Sequence, residues 1–161
     1  MSEWFRDYGY ARVGDGLWVG AYPTDAGDVA EVAELGVERA LNLCEDDEYR
    51  AGEREAVVEA LAEAGIEEER VPLVDYGGLS RSTLEEAVEA VRSWLDDGEA
   101  VYLHCRAGWQ RSAAVAAGVL ALREDVDAEE ALERLAGRKP TAEPLPHQRR
   151  DLLAWWAERE A

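Results

Sequence analysis

Apolar and polar positions along the chain alternate with two different periods, and the switches between them mark the expected elements. "LWVGAYP" (Leu17 to Pro23) is aromatic and β-branched and predicts a strand. "DAGDVAEVAELG" follows at helical spacing, with Thr24 or Asp25 as its cap and Gly36 at its end. "VERALNLC" (Val37 to Cys44) reads as a buried strand, and "EYRAGEREAVVEALAEAG" as a helix that stops at Gly65. "ERVPLVD" predicts another strand, ending at Asp75, before the glycine-bearing loop "YGGLS". "STLEEAVEAVRSWLDDG" opens on a capping signature, Ser82 or Thr83 followed by Glu85 or Glu86. It places Val88, Val91 and Leu95 on one face. "EAVYLHC" predicts the next strand, and the almost wholly apolar "SAAVAAGVLALRE" a helix buried on most sides. "DAEEALERLAGR" and "HQRRDLLAWWAERE" complete the helices, with "KPTAEPLP" between them.

Strands alternating with helices imply an α/β fold with a largely parallel central sheet flanked by helices. No repeat, linker or low-complexity segment interrupts the pattern, so a single domain over residues 1–161 is expected. Ligands of such sheets bind at the carboxyl ends of the strands, where this reading puts Cys44, Asp75 and Cys105.

Composition narrows the partners. There are 36 acidic residues against 17 basic ones, a net charge of −19, and the only lysine is Lys139. Such a field repels nucleic acid and anionic membranes, so neither is an expected partner. It is either an acidic steering surface or an adaptation of solvation. The acid-rich, alanine-rich, nearly lysine-free composition resembles that of proteins from salt-loving archaea. Two cysteines are too few for a disulfide framework, and no run of about 18 apolar residues predicts a membrane span. The first residues lack a basic segment followed by an apolar one, so no secretory signal is expected. With so few cysteines a reducing cytoplasm is the expected compartment, and a monomer the expected state. The acidic clusters "EDDE" (Glu45 to Glu48) and "EEE" (Glu67 to Glu69) read as solvated turns. They lack the spacing of a cation loop, and no metal or other cofactor is expected.

The chemistry concentrates in "VYLHCRAGWQRSAAV" (Val101 to Val115). A loop that runs from a strand into a helix start offers unpaired backbone amides and the positive end of the helix dipole to an anion. Gly108 lets the backbone of Arg106, Ala107, Gly108, Trp109 and Gln110 turn its amides inward. Arg111 supplies a bidentate grip on two phosphate oxygens. A free thiol ionises at about pH 8.5, and a helix N-terminus beside an arginine favours the thiolate, the nucleophilic form. Cys105 is the candidate nucleophile, and the Ser112 hydroxyl is placed to steady its sulfur as a leaving group. His104 is expected to face away from the phosphate and hold the loop's shape. The alternative for Cys105 is a buried small hydrophobe, which leaves the loop and Arg111 without a purpose.

His-Cys, five residues, Arg-Ser, between strand and helix, resembles the signature of the protein tyrosine phosphatase superfamily. "GLWVGAYPTDAGDVAEVAELGVERALNLC" resembles the opening of dual-specificity phosphatases, and "RKPTAEPLPHQRRDLLAWW" their closing segment, so the likeness covers roughly Val13 to Trp156. It implies the compact three-layer fold of cysteine-dependent phosphatases and metal-free hydrolysis of phosphomonoesters through a cysteinyl-phosphate. It also implies that Asp75, thirty residues before Cys105, is the general acid and later the base, with Gly77 and Gly78 letting its loop close. Gln110 is a candidate for placing the hydrolytic water. "NLCEDDEYR" is similar to a stretch of tensin-homologue lipid phosphatases. There the cysteine matching Cys44 can form a disulfide with the nucleophile; otherwise Cys44 is a buried strand-end thiol.

No tyrosine-bearing recognition segment is evident, which favours a shallow, dual-specificity type of site. A phosphorylated protein or small phosphoester is the expected partner. Arg106 keeps one basic charge where lipid phosphatases of this superfamily carry loop lysines. Trp109 either lines the pocket rim or packs on "YGGLS", and Arg81 either contacts substrate or is solvated. Trp94, Trp155 and Trp156 read as core, and His147 as a capping or packing residue. Three other readings remain: a phosphoinositide-type lipid or small-molecule phosphatase, a non-catalytic phosphoprotein-binding module of the same fold, and a rhodanese-like sulfur transferase. The last uses a shorter loop.

Overall fold

Strand side chains at the centre of the molecule alternate between two apolar environments. In β5 (Val101–His104), Val101 and Leu103 enter one core cluster and Tyr102 the other. In β3 (Arg39–Asn42), Leu41 and Ala40 divide in the same way. Both faces of the sheet are therefore buried, as parallel sheets require. These are features of a computed structural model that describes residues 1–160. The strand order is β1-β2-β5-β3-β4, where β1 is Tyr10–Gly14, β2 Leu17–Gly20 and β4 Glu67–Arg70. Strands β2, β5, β3 and β4 run parallel, and β1 pairs antiparallel with β2 at the edge.

One face carries α4 (Arg81–Asp96), α5 (Arg111–Arg123), α6 (Ala128–Arg138) and α7 (Pro146–Glu160), which contribute Val88, Val115, Leu135 and Trp155 to the larger cluster. The other carries α1 (Glu3–Tyr8), α2 (Ala26–Glu34) and α3 (Glu53–Ala64), which contribute Phe5, Val32 and Leu61. This is the expected three-layer α/β arrangement. The alanine-rich stretch of α5 lies in the middle of the core, and its small side chains admit neighbours closely. A Cβ on Gly118 would stand 2.8 Å from Val88 Cγ2.

Several boundaries differ from the sequence expectation. The strand expected to end at Asp75 is β4, which ends at Arg70. Pro72 has no N–H to continue a ladder, so the chain runs on extended with only Val71 and Leu73 donating to β3 and its extension. Asp75 therefore sits in a connection rather than at a strand end. Glu67 to Glu69 are not a turn: they form β4, an edge strand, where charged side chains keep other strands from pairing. Helix α4 starts at Arg81 because Ser80, not Ser82 or Thr83, is its cap and accepts from the Thr83 amide. Helix α1 and strand β1 leave no clear periodic signal, since "EWFRDYGYARVG" follows neither period cleanly.

Candidate active site

Strand β5 delivers Cys105, and α5 begins at Arg111, so the intervening loop is clamped at both ends. The carbonyls of Cys105, Arg106, Gly108 and Trp109 are each held from outside the loop. His104 Nδ1 donates to the Cys105 carbonyl at 3.3 Å. The Arg106 carbonyl accepts from Trp4 Nε1 at 2.8 Å and the Tyr22 amide at 3.1 Å. Lys139 Nζ donates to the Gly108 carbonyl at 3.0 Å, and the Glu143 amide to that of Trp109 at 2.7 Å. In a trans peptide the C=O and N–H point in opposite directions, so carbonyls held outside turn the following amides inside. The amides of Arg106 to Gln110 donate to no acceptor among the described residues. Gly108 has φ +78°, and a Cβ there would stand 2.5 Å from the Gly20 carbonyl carbon, so both conformation and space demand glycine.

Cys105 lies at the base of this cup, with Sγ 3.2 Å from Ser112 Oγ on the first turn of α5. Arg111 is buried and reaches across the sheet edge. Its Nη1 donates to the Leu73 carbonyl at 2.9 Å, and its Nη1 and Nη2 to the two Glu48 carboxylate oxygens at 2.8 and 2.7 Å. Asp75 Oδ1 is 3.3 Å from Arg111 Nη2. Burial disfavours the Arg111 charge, but the hydrogen bonds to Glu48 and the charge of its carboxylate help to outweigh it and raise the Arg111 pKa. Burial likewise disfavours the Glu48 carboxylate, yet Arg111 and the Glu45 amide hold its pKa below the ordinary value. Arg111 Nε is buried and has no partner among the described residues. It is a donor that an oxyanion in the cup would satisfy.

Glu48 corrects the reading of "EDDE" as a solvated turn. The short 3₁₀ turn Asp46–Glu48 folds its last carboxylate inward, where the side chain is 8% exposed and orients Arg111. Helix α1 is the second contribution that sequence reasoning missed. Trp4 and Tyr8 join Asp75, Tyr76, Trp109 and Gln110 around a cavity of about 170 Å³ floored by Cys105 and Arg111. The Trp109 ring meets Tyr8 edge-on at 5.2 Å, so its aromatic neighbour is α1 rather than the "YGGLS" loop.

The remaining expected residues take varied positions, some near the cavity and some away from it. Burial pushes the His104 pKa down to about 4, so the ring is neutral, and its buried Nε2 has no partner among the described residues. Arg106 stacks its guanidinium on Trp4, 5.0 Å from the ring centroid. Cys44 is a free, fully buried thiol, and burial pushes its pKa up, with Glu48 adding to the effect. Arg81 is largely exposed and pairs with Glu158. His147 holds the loop that follows Asp75, with Nε2 donating to the Tyr76 and Gly77 carbonyls at 2.9 and 3.2 Å. Trp155 is buried, Trp94 nearly so, and Trp156 packs on the core, as read.

Comparison with known proteins agrees with this geometry. The family described as "Dual specificity phosphatase, catalytic domain" matches residues 17–158. A Mus musculus protein named "Phosphatidylglycerophosphatase and protein-tyrosine phosphatase 1" is 28% identical over 132 residues, 81% of this chain and 67% of that protein. Among solved structures, PTPMT1 in complex with PI(5)P superposes with a TM-score of 0.80 at 26% identity, covering 94% of this chain and 99% of that one. Tk-PTP in its active form superposes with a TM-score of 0.80 at 21% identity, covering 93% and 97% of the two chains. Human DUSP28 gives 0.75 at 24%, covering 94% and 95%. The last two likenesses concern the fold alone.

Proposed function

Because the chain belongs to the dual specificity phosphatase family, we propose that it is a phosphatase that hydrolyses aryl phosphomonoesters, phosphotyrosine above all, through a cysteinyl-phosphate. The observation that carries the phosphoryl chemistry is the cup itself: inward amides and an unpartnered Arg111 Nε above a buried Cys105. The Cys105 thiolate attacks phosphorus and forms the S–P bond while the P–O bond to the leaving group breaks. Asp75 donates its proton to the departing oxygen. Asp75 then takes a proton from water as the water attacks phosphorus. The S–P bond breaks, phosphate leaves, and Ser112 Oγ stabilises the returning thiolate.

The walls support an aryl ester. Trp4, Tyr8, Tyr76 and Trp109 surround an opening whose volume, about 170 Å³, is that of cavities known to admit one benzene ring (about 150 Å³). A second reading, a phospholipid headgroup, is favoured by the names of the mouse relative and of the PTPMT1 complex. Two features weigh against it here: Arg106 is stacked on Trp4, and a net charge of −19 repels anionic bilayers.

Hydrolysis of p-nitrophenyl phosphate, abolished by Cys105→Ser, is the primary test. Phosphotyrosine peptide, phosphoserine peptide, and vesicles carrying phosphatidylglycerophosphate or phosphatidylinositol 5-phosphate are then compared by kcat/KM. Highest turnover on the vesicles would replace the aryl reading with the lipid one. Tight phosphotyrosine binding without any turnover would replace both with a binding module.

A further inference from the structure

Among the 17 basic residues the single lysine is buried, while arginines occupy every solvent-facing basic position. Lys139 follows α6, and its backbone is fixed on both sides: its amide donates to the Leu135 carbonyl and its carbonyl accepts from the Ala142 amide. Its ammonium donates to the Gly108 carbonyl at 3.0 Å and to Thr141 Oγ1 at 2.7 Å. We propose that Lys139 is a positioning residue of the phosphate cup: by holding the Gly108 carbonyl it aims the Trp109 amide at the bound phosphate.

The Gly108–Trp109 peptide is one rigid plane, so a carbonyl fixed behind the loop fixes the direction of the Trp109 N–H in front of it. Gly108 is the loop's left-handed residue, the point where an unrestrained backbone has most freedom. The other outward carbonyls are held by neutral donors, from His104, Trp4, Tyr22 and Glu143. Gly108 alone is held by a cation, and a charge-assisted bond polarises the peptide so that its N–H is a stronger donor. The residue type follows from the space. A compact ammonium on a flexible stem reaches two acceptors inside the core, whereas a planar guanidinium presents five donors that would need partners there. Burial lowers the Lys139 pKa, and the neighbouring Cys105 opposes that shift.

The inference rests on reading the Cys105 loop as a phosphate cup, and the experiment separates the two. Tungstate affinity, kcat and the amide spectrum are measured for wild type and Lys139→Met. Wild type is expected to bind tungstate with a downfield shift of the Trp109 amide proton. Lys139→Met is expected to lose that shift while keeping the Ala107 shift, and to bind tungstate roughly tenfold more weakly, the effect of one charged hydrogen bond. Lys139→Arg is not expected to restore it. A folded Lys139→Met protein with wild-type affinity and Trp109 shift would overturn the role of Lys139 alone. Wild type without tungstate affinity would overturn the cup, and the role with it. Should Lys139→Met fail to fold, ¹³C-lysine labelling of wild type decides, because one lysine yields one side-chain signal. That signal must move on tungstate binding, and a stationary signal would overturn the proposal.

Discussion

Glu48 shows how one side chain sets the geometry of another. Its two oxygens hold both terminal nitrogens of Arg111, leaving the buried Nε without a partner among the described residues. Replacing it by glutamine keeps the size but gives the fork a neutral partner with one acceptor. Glu48→Gln is expected to destabilise the fold by about 3 kcal/mol, the low end for breaking a buried pair. It should lower kcat/KM about a hundredfold, as misplacing a catalytic group by about 1 Å does. Urea unfolding and steady-state kinetics measure the two effects, and lost stability with unchanged kcat/KM would refute the positioning role. The same pair has a pH signature. The Glu48 pKa lies below its ordinary value of 4.5 in the folded chain, so the unfolded chain binds more protons as acid is added. The pair's contribution is complete above pH 4.5 and is lost as pH falls through the lower folded pKa. His104 acts in the same direction: with a folded pKa of about 4 against an ordinary 6.5, its contribution fades between those values. Acid unfolding of Glu48→Gln should therefore start from lower stability and have a shallower slope below pH 4.5 than wild type.

At the scale of elements, α1 is short yet forms one wall of the cavity. Six residues are too few to hold a helix in isolation, so its position depends on anchors. Phe5 buries in the smaller core cluster, and the Ser2 amide and hydroxyl both donate to the buried Asp28 carboxylate, at 2.7 and 2.6 Å. Trp4 then reaches the Arg106 carbonyl. Trp4→Ala is expected to raise KM several-fold for p-nitrophenyl phosphate, in line with about 1 kcal/mol for an aromatic pair. KM for glycerol phosphate, which has no ring, should change little. Asp28→Ala should produce the same KM pattern by releasing α1, together with faster hydrogen exchange of its amides. An equal rise for both esters in either variant would place α1 outside substrate recognition.

For the molecule as a whole, charge dominates. Arginine pairs such as Arg138–Glu124 and Arg159–Glu89 line the surface, but exposed pairs contribute only about 0–1 kcal/mol each. They do not cancel the mutual repulsion of a chain with net charge −19. The Debye length falls from about 10 Å at 0.1 M salt to about 3 Å at 1 M, so raising KCl screens that repulsion. Thermal melting is expected to shift upward across this range, and a Tm that stays level or falls would contradict the account. Substrate binding carries the same sign. A dianionic phosphoester approaches a like-charged protein, so kcat/KM should rise with ionic strength, where an attractive site would show a fall.

Much of this protein was legible along the chain. The alternation of strands and helices that implies a largely parallel sheet, and the strand–loop–helix around Cys105, depend on residues a few positions apart. Periodicity, caps and the six-residue step from Cys105 to Arg111 record them directly. The partners that make the loop a site were not legible. Glu48 stands 63 residues from Arg111, Trp4 stands 102 from Arg106, and Lys139 stands 31 from Gly108. Their meeting depends on β5 lying between β2 and β3, and on α1 folding back against one face of the sheet. No local pattern distinguishes a glutamate in an acidic turn that stays in water from one that turns inward. Only the folded chain, which surrounds Arg111 with a dry wall and leaves its charge in need of a partner, makes that distinction.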